Sequence, residues 1–170
     1  MSRRYVVLDV FTDHALAGNP LAVVLEADGL DTAAMQRIAR EFNLSETVFV
    51  FAPERPNHSA AVRIFMPDAE LPFAGHPTVG SAVLLAEERF GRVEKAIDSV
   101  VVLEEKVGVV RAAVRLAPQG VSYAEFDAPR ISTEIRRAPP AKGPIADALG
   151  LDATEIGFEN HVPSLFEAGV

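Results

Sequence analysis

Residues 79–86 read Val-Gly-Ser-Ala-Val-Leu-Leu-Ala, apolar on nearly every side of a helix. A helix with no polar face has no surface to give to water, so protein must surround it. Pro77 suits its first turn and Gly91 its end, which predicts a helix over about 77–90. The 170 residues can supply that enclosure, as one sizeable core or as one domain and part of another.

The enclosing material is strand-like. Runs at 5–11, 21–25, 47–51, 61–65, 100–104 and 107–116 are rich in β-branched residues and bounded by Gly, Pro, Asn or Asp. A second helix is predicted over 32–42, with Asp31 as its N-cap and Met35, Ile38, Ala39 and Phe42 along one face. The last two runs, separated at Glu105-Lys106, read as a hairpin, with Arg111 and Arg115 facing away from Val110, Ala112, Val114 and Leu116. The expectation is an α+β fold, mostly antiparallel strands wrapped round a central buried helix.

Beyond Pro118 the pattern thins. Residues 118–170 carry 6 of the 12 prolines, and proline density marks connection. Strands are predicted at 121–126 and 130–135 and a short helix at 145–149 ended by Gly150, too little for an independent core. The expected organisation is a first domain over 1–117, then a linker and the incomplete start of a second domain over 118–170.

Composition removes several chemistries. With no cysteine there is no disulfide, thiolate metal site or thiol acid/base pair. A formal charge of −8 is the wrong sign for holding a phosphate backbone, so no nucleic acid partner is expected. No apolar run nears the roughly 18 residues of a membrane span and no basic-then-apolar leader opens the chain, which predicts a cytoplasmic protein without a membrane partner. His14, His58 and His161 lack spaced ligand partners, so no metal is expected. Neither a Gly-x-Ser-x-Gly elbow nor a dinucleotide-binding Gly-x-Gly-x-x-Gly is present.

Three stretches can carry chemistry, each with a plainer alternative. Ala74-Gly75-His76-Pro77-Thr78 sets unpaired N–H groups at the start of the buried helix, where an anion is favoured. Gly75 would admit a ligand close to the backbone and Thr78 would add a hydroxyl donor; alternatively, His76 merely caps the helix. Glu46, between the first helix and an apolar strand, is either a partly desolvated acid suited to moving protons or a solvated loop residue. Gly18-Asn19-Pro20 is explained by turn chemistry, and Asn19 offers an amide to a polar substrate only if that turn comes near Glu46 and the helix start.

Four segments stand in a telling order: Asp9-Val10-Phe11-Thr12; Gly18-Asn19-Pro20-Leu21-Ala22-Val23-Val24; the stretch from Met35 to Thr47 ending Glu41-Phe42-Asn43-Leu44-Ser45-Glu46-Thr47; and Glu70-Leu71-Pro72-Phe73-Ala74-Gly75-His76-Pro77-Thr78-Val79-Gly80. Together they resemble the phenazine-biosynthesis PhzF-like family of isomerases and epimerases, strongly over 5–85 and more weakly over 145–169. The resemblance implies a diaminopimelate-epimerase-like fold of two similar domains with the active site between them. It also implies cofactor-independent proton shifting beside a carboxylate, with Glu46 as general acid/base. Asn19, Gly75, His76 and Thr78 would hold a small carboxylate substrate, and a homodimer or a complementing second chain would be the partner. Met66 stands where members commonly carry a smaller polar residue. Residues up to Val170 also lack the acidic motif and second Gly-rich helix start that complete the cleft in relatives. The chain is therefore expected to be a fragment, a truncated product or part of a split protein. The alternative is a non-catalytic binding or assembly module of the same fold.

Overall fold

A computed structural model describes residues 2–119 and 121–168. The predicted runs become β1 (Tyr5–Val10), β2 (Asn19–Val24), α1 (Thr32–Phe42), β3 (Glu46–Phe51) and β4 (Ala60–Phe65). Next come β5 (Glu70–Leu71), α2 (Gly75–Phe90), β6 (Ile97–Glu105), β7 (Gly108–Leu116) and β8 (Tyr123–Phe126). One sheet runs in the order β1-β2-β3-β4-β6-β7-β8, with β5 attached to β4. Its neighbours are antiparallel except β2 with β3 and β4 with β6.

This sheet curls round α2, which lies against β1, β2 and β3 on one side and β6, β7 and β8 on the other. Val10, Leu21, Val23, Val48, Ile64, Leu103, Ala112 and Ala82 form the core between them. The central strand β3 is buried on both faces: Val48 and Val50 join the core round α2, whereas Phe49 packs with Met35 and Ala39 of α1 in a smaller cluster. Burial along β7 alternates as predicted, with Val110, Ala112, Val114 and Leu116 inside and Arg111 and Arg115 outside.

Two glycines mark close approaches. A Cβ on Gly80 would lie 2.7 Å from Leu21 Cδ2 and 2.8 Å from Val10 Cγ2, so α2 meets the β1–β2 hairpin without room for a side chain. Gly80→Val is expected to cost about 1–3 kcal/mol through overpacking, read as a lowered urea midpoint. A Cβ on Gly18 would lie 2.5 Å from the Val10 carbonyl oxygen, which explains the glycine just before Asn19.

The first compact unit ends at Pro129 and the second begins at Arg130. β8 follows Pro118 yet pairs with β7, and Ala124 enters the core, so the first unit runs past the boundary expected from proline density. Proline marks connections and is blind to which later strand returns to the sheet. In the second unit β9 (Thr133–Glu134) pairs antiparallel with β10 (Phe166–Glu167), a remnant of the strand expected over 130–135. There α3 (Lys142–Leu149) starts three residues earlier than predicted and ends on Gly150 in the left-handed conformation. No helix among the described residues is long and apolar enough to cross a membrane.

Candidate functional site

The start of α2 is an unusual helix end. Ala74 occupies the N-cap with extended backbone and no side-chain cap, so His76 does not cap the helix, which begins at Gly75 rather than Pro77. The bond from Thr78 N–H to the Ala74 carbonyl (3.2 Å) leaves the Gly75 and His76 N–H groups ahead of it in the first turn. A Cβ on Gly75 would meet Phe126 at an ordinary 3.7 Å, so this glycine is not forced by crowding from the fold.

Glu46 arrives beside this turn through the register of the sheet. Asn43, left-handed at φ 53°, ends α1, and three residues later Glu46 opens β3 opposite Leu21 on β2. Its Oε2 lies 3.3 Å from His76 Nε2, with the two side chains 15% and 8% exposed. Both atoms are buried, yet neither makes a well-directed hydrogen bond among the described residues. Unmet buried polar atoms cost about 1–3 kcal/mol each, so the pair is held by the surrounding fold and is open to a third group. Burial pushes the His76 imidazole below its ordinary range, against the opposing pull of Glu46 and the Pro20 backbone. The ring is therefore neutral at neutral pH, and the carboxyl group faces an imidazole rather than an imidazolium.

Asn19 is the first residue of β2, opposite Val10, and not the tip of a turn. It stands two residues before Leu21 on the strand that flanks Glu46, and Pro20 beside it touches His76 electrostatically. Asn19, Glu46, Gly75 and His76 thus come from β2, β3 and the first turn of α2, which the core draws together.

Thr78 requires a correction. Its hydroxyl, expected to face a ligand, is fully buried and lies 2.9 Å from the Ala74 carbonyl and 2.8 Å from Glu105 Oε1. It secures the turn from within. The β-branched side chain at this helical position points into the sheet, where β6 ends.

Glu105 itself was hidden in sequence because it falls at a hairpin end, where a charged residue reads as exposed. The signal was its phase: Val101, Leu103 and Glu105 alternate inward along β6. Burial raises the Glu105 carboxyl to about 7, against the lowering effect of the Thr78 hydroxyl bond. Between about 4.5 and about 7 the folded chain holds a proton the unfolded chain has released, so this group's contribution declines as pH rises through that window. Glu105→Gln is expected to match the wild type near pH 4.5 and exceed it by about 2–3 kcal/mol above pH 8 in urea unfolding.

The remaining histidines each have other neighbours. His58 Nδ1 sits 2.7 Å from Glu104 Oε1, whose carboxyl is held below its usual range chiefly by the Glu54 backbone N–H, with help from Arg55 N–H and His58. His14 is exposed beside Asp13, and His161 packs its ring on Phe158. No group of three metal-capable side chains occurs among the described residues.

A family profile described as phenazine biosynthesis-like protein matches residues 8–162. An uncharacterized isomerase of Mesorhizobium japonicum is 52% identical over 169 residues, covering 99% of this chain and 54% of that protein. A trans-2,3-dihydro-3-hydroxyanthranilate isomerase of Pseudomonas aeruginosa is 52% identical over 85 residues, covering 50% of this chain and 30% of that protein. The solved structure of a predicted epimerase from Pseudomonas aeruginosa superposes with a TM-score of 0.81 at 35% identity, covering 99% of this chain and 57% of the other. The chain thus spans about half the length of the first of these relatives. Residues 8–162 carry the family's pattern, the curled sheet and central helix carry its diaminopimelate-epimerase-like fold, and the chain belongs to the phenazine biosynthesis-like family.

Proposed function

We propose that this protein belongs to an isomerase that shifts a proton on a small carboxylate substrate, with Glu46 as the general acid/base. The observation that carries the reading is the 3.3 Å approach of Glu46 Oε2 to His76 Nε2, two buried atoms without well-directed partners. They meet beside a helix start whose Gly75 and His76 N–H groups favour an anion. In this mechanism the substrate carboxylate binds those N–H groups, and Asn19 offers an amide to a neighbouring polar group. Glu46 as carboxylate takes a proton from a carbon near the substrate carboxylate. Electrons of that C–H bond delocalise into the adjoining unsaturated system, and the protonated Glu46 returns the proton to a different carbon. The neutral His76 accepts or donates one hydrogen bond without adding charge to the site. Proton transfer of this kind needs no bound cofactor.

A trans-2,3-dihydro-3-hydroxyanthranilate substrate is a reasonable first candidate, because a relative named for that isomerisation shares 52% identity over 85 residues. The test is to incubate the intact protein with that compound in heavy water. Deuterium entering the substrate with the wild type and not with Glu46→Gln supports the reading; equal uptake by both overturns the role of Glu46.

A second reading, a binding or assembly module, draws on the second unit, where Ile131 is 90% exposed, Val162 70% and Phe158 69%. Apolar groups this exposed favour association with another copy or a complementing chain. Light scattering tests it: a monomer over the whole accessible concentration range removes the reading.

A further inference from the structure

The hydroxyl of Thr78 has one proton and two neighbours that call for it. Ala74 O lies at 2.9 Å and Glu105 Oε1 at 2.8 Å, and both are acceptors when Glu105 is ionised. One of the two close contacts then has no hydrogen in it. A proton on Glu105 resolves the conflict, because Oε1–H donates to Thr78 Oγ1 and Thr78 O–H donates to the Ala74 carbonyl. Glu105 is 8% exposed, and its Oε2 is buried with no partner among the described residues. A neutral acid fits that setting better than a carboxylate.

We infer that Glu105 is a positioning residue for the start of α2, acting through a proton-ordered chain from Glu105 to Thr78 to the Ala74 carbonyl that fixes the turn presenting the Gly75 and His76 amides. The functional weight of this inference rests on reading that turn as the substrate site; the hydrogen-bond chain itself does not.

Charged groups on neighbouring elements are engaged elsewhere. On β4 and β5, Arg63 holds Glu70 in two bonds of 2.8 and 2.9 Å, and Lys106 in the hairpin turn reaches the same Glu70. Glu104 precedes Glu105 on β6 and binds the 54–55 backbone and His58. On α2, His76 faces Glu46. On β7, Arg111 and Arg115 point outward, and on β8 Glu125 accepts from the Tyr123 hydroxyl at the surface. The Glu105 carboxyl is raised to about 7 by burial, so both proton orders are populated near neutrality. Above that pH the Thr78 hydroxyl turns to the carboxylate, and the Ala74 carbonyl keeps only the longer 3.2 Å bond from Thr78 N–H.

Nuclear magnetic resonance of the ¹⁵N-labelled chain tests this without a substrate. In the wild type, the Gly75, His76 and Thr78 amide signals are expected to move together between about pH 5 and pH 9 with a midpoint near 7. In Glu105→Gln, whose carboxamide N–H donates to Thr78 as the acid does, they should stay near the acidic wild-type positions across this range. Persistence of the midpoint near 7 in Glu105→Gln would overturn the inference, assigning the titration to another group. Carboxyl ¹³C labelling of glutamate gives a reading independent of any variant: a Glu105 signal titrating near 4.5 overturns the inference equally. Absence of deuterium exchange with the wild-type protein in the functional assay, alongside an intact amide titration, would reject the isomerase reading and leave the chain of hydrogen bonds standing.

Discussion

Glu46→Gln is expected to lower deuterium exchange into the substrate by about 10²- to 10⁴-fold, the range supplied by a positioned general acid/base. The fold should survive the change. Gln is isosteric with Glu, and Oε2 has no hydrogen-bond partner to lose among the described residues. The new amide can donate to His76 Nε2, now 3.3 Å away, if the neutral ring leaves that nitrogen free. Unfolding midpoints of wild type and variant should therefore agree within about 0.5 kcal/mol, a difference typical of changes that remove no buried partner. A loss below about tenfold would assign the proton transfer to another group. A large drop in stability would mean that the carboxylate is held by contacts beyond the single approach to His76.

Phe49→Ala is expected to remove about 3–5 kcal/mol of stability, the usual cost of deleting a fully buried aromatic ring. Phe49 has no exposed surface and meets Phe65 edge to face, with centroids 5.4 Å apart. The same cluster contains Met35 and Ala39, the two buried residues of α1. The cavity would open between β3 and α1, where neighbouring rings are braced by the sheet and have little freedom to collapse into it. Typical domains have only about 5–15 kcal/mol in total, so the variant should unfold at much lower urea. Tyr5→Ala is the contrast: Tyr5 also packs edge to face on an aromatic ring, that of Phe42, but is 57% exposed and should cost about 1 kcal/mol or less. Similar losses from the two substitutions would show that α1 is loosely seated on the sheet.

Much of this fold was legible because its two strongest signals are physically independent. An all-apolar helix demands enclosure, and alternating or doubly buried strands supply it, so α2 and the strands from β1 to β4 and β6 to β7 stood out. The two-residue β5 did not, since its pairing with β4 comes from tertiary placement and no periodicity exists over two residues. β8 was visible as a strand, but nothing local told that Tyr123–Phe126 returns to β7 across the proline-rich start of the connection. Glu46, His76 and Gly75 were singled out as candidates through residue type and position at element ends. Their mutual geometry was not, because the Leu21 to Glu46 register that brings β3 beside β2 is a long-range property. Thr78 was assigned the right turn and the wrong direction: its hydroxyl faces Glu105, a residue whose burial shows only when the inward phase of β6 is carried through the hairpin end.

The two-sided embrace of α2 has a consequence for synthesis on the ribosome. When Phe90 has left the exit tunnel, β1, β2 and β3 can already cover one side of the helix, but β6, β7 and β8 have yet to emerge. At about 5–20 residues per second, the 36 residues from Gly91 to Phe126 take roughly 2–7 s to emerge. Throughout that interval the apolar side of the helix that β6 and β7 will cover lacks its final neighbours. A nascent chain paused there is the species most exposed to aggregation and most in need of a chaperone, and synonymous codons that slow translation while Gly91 to Phe126 emerge should reduce the soluble yield without altering the finished protein.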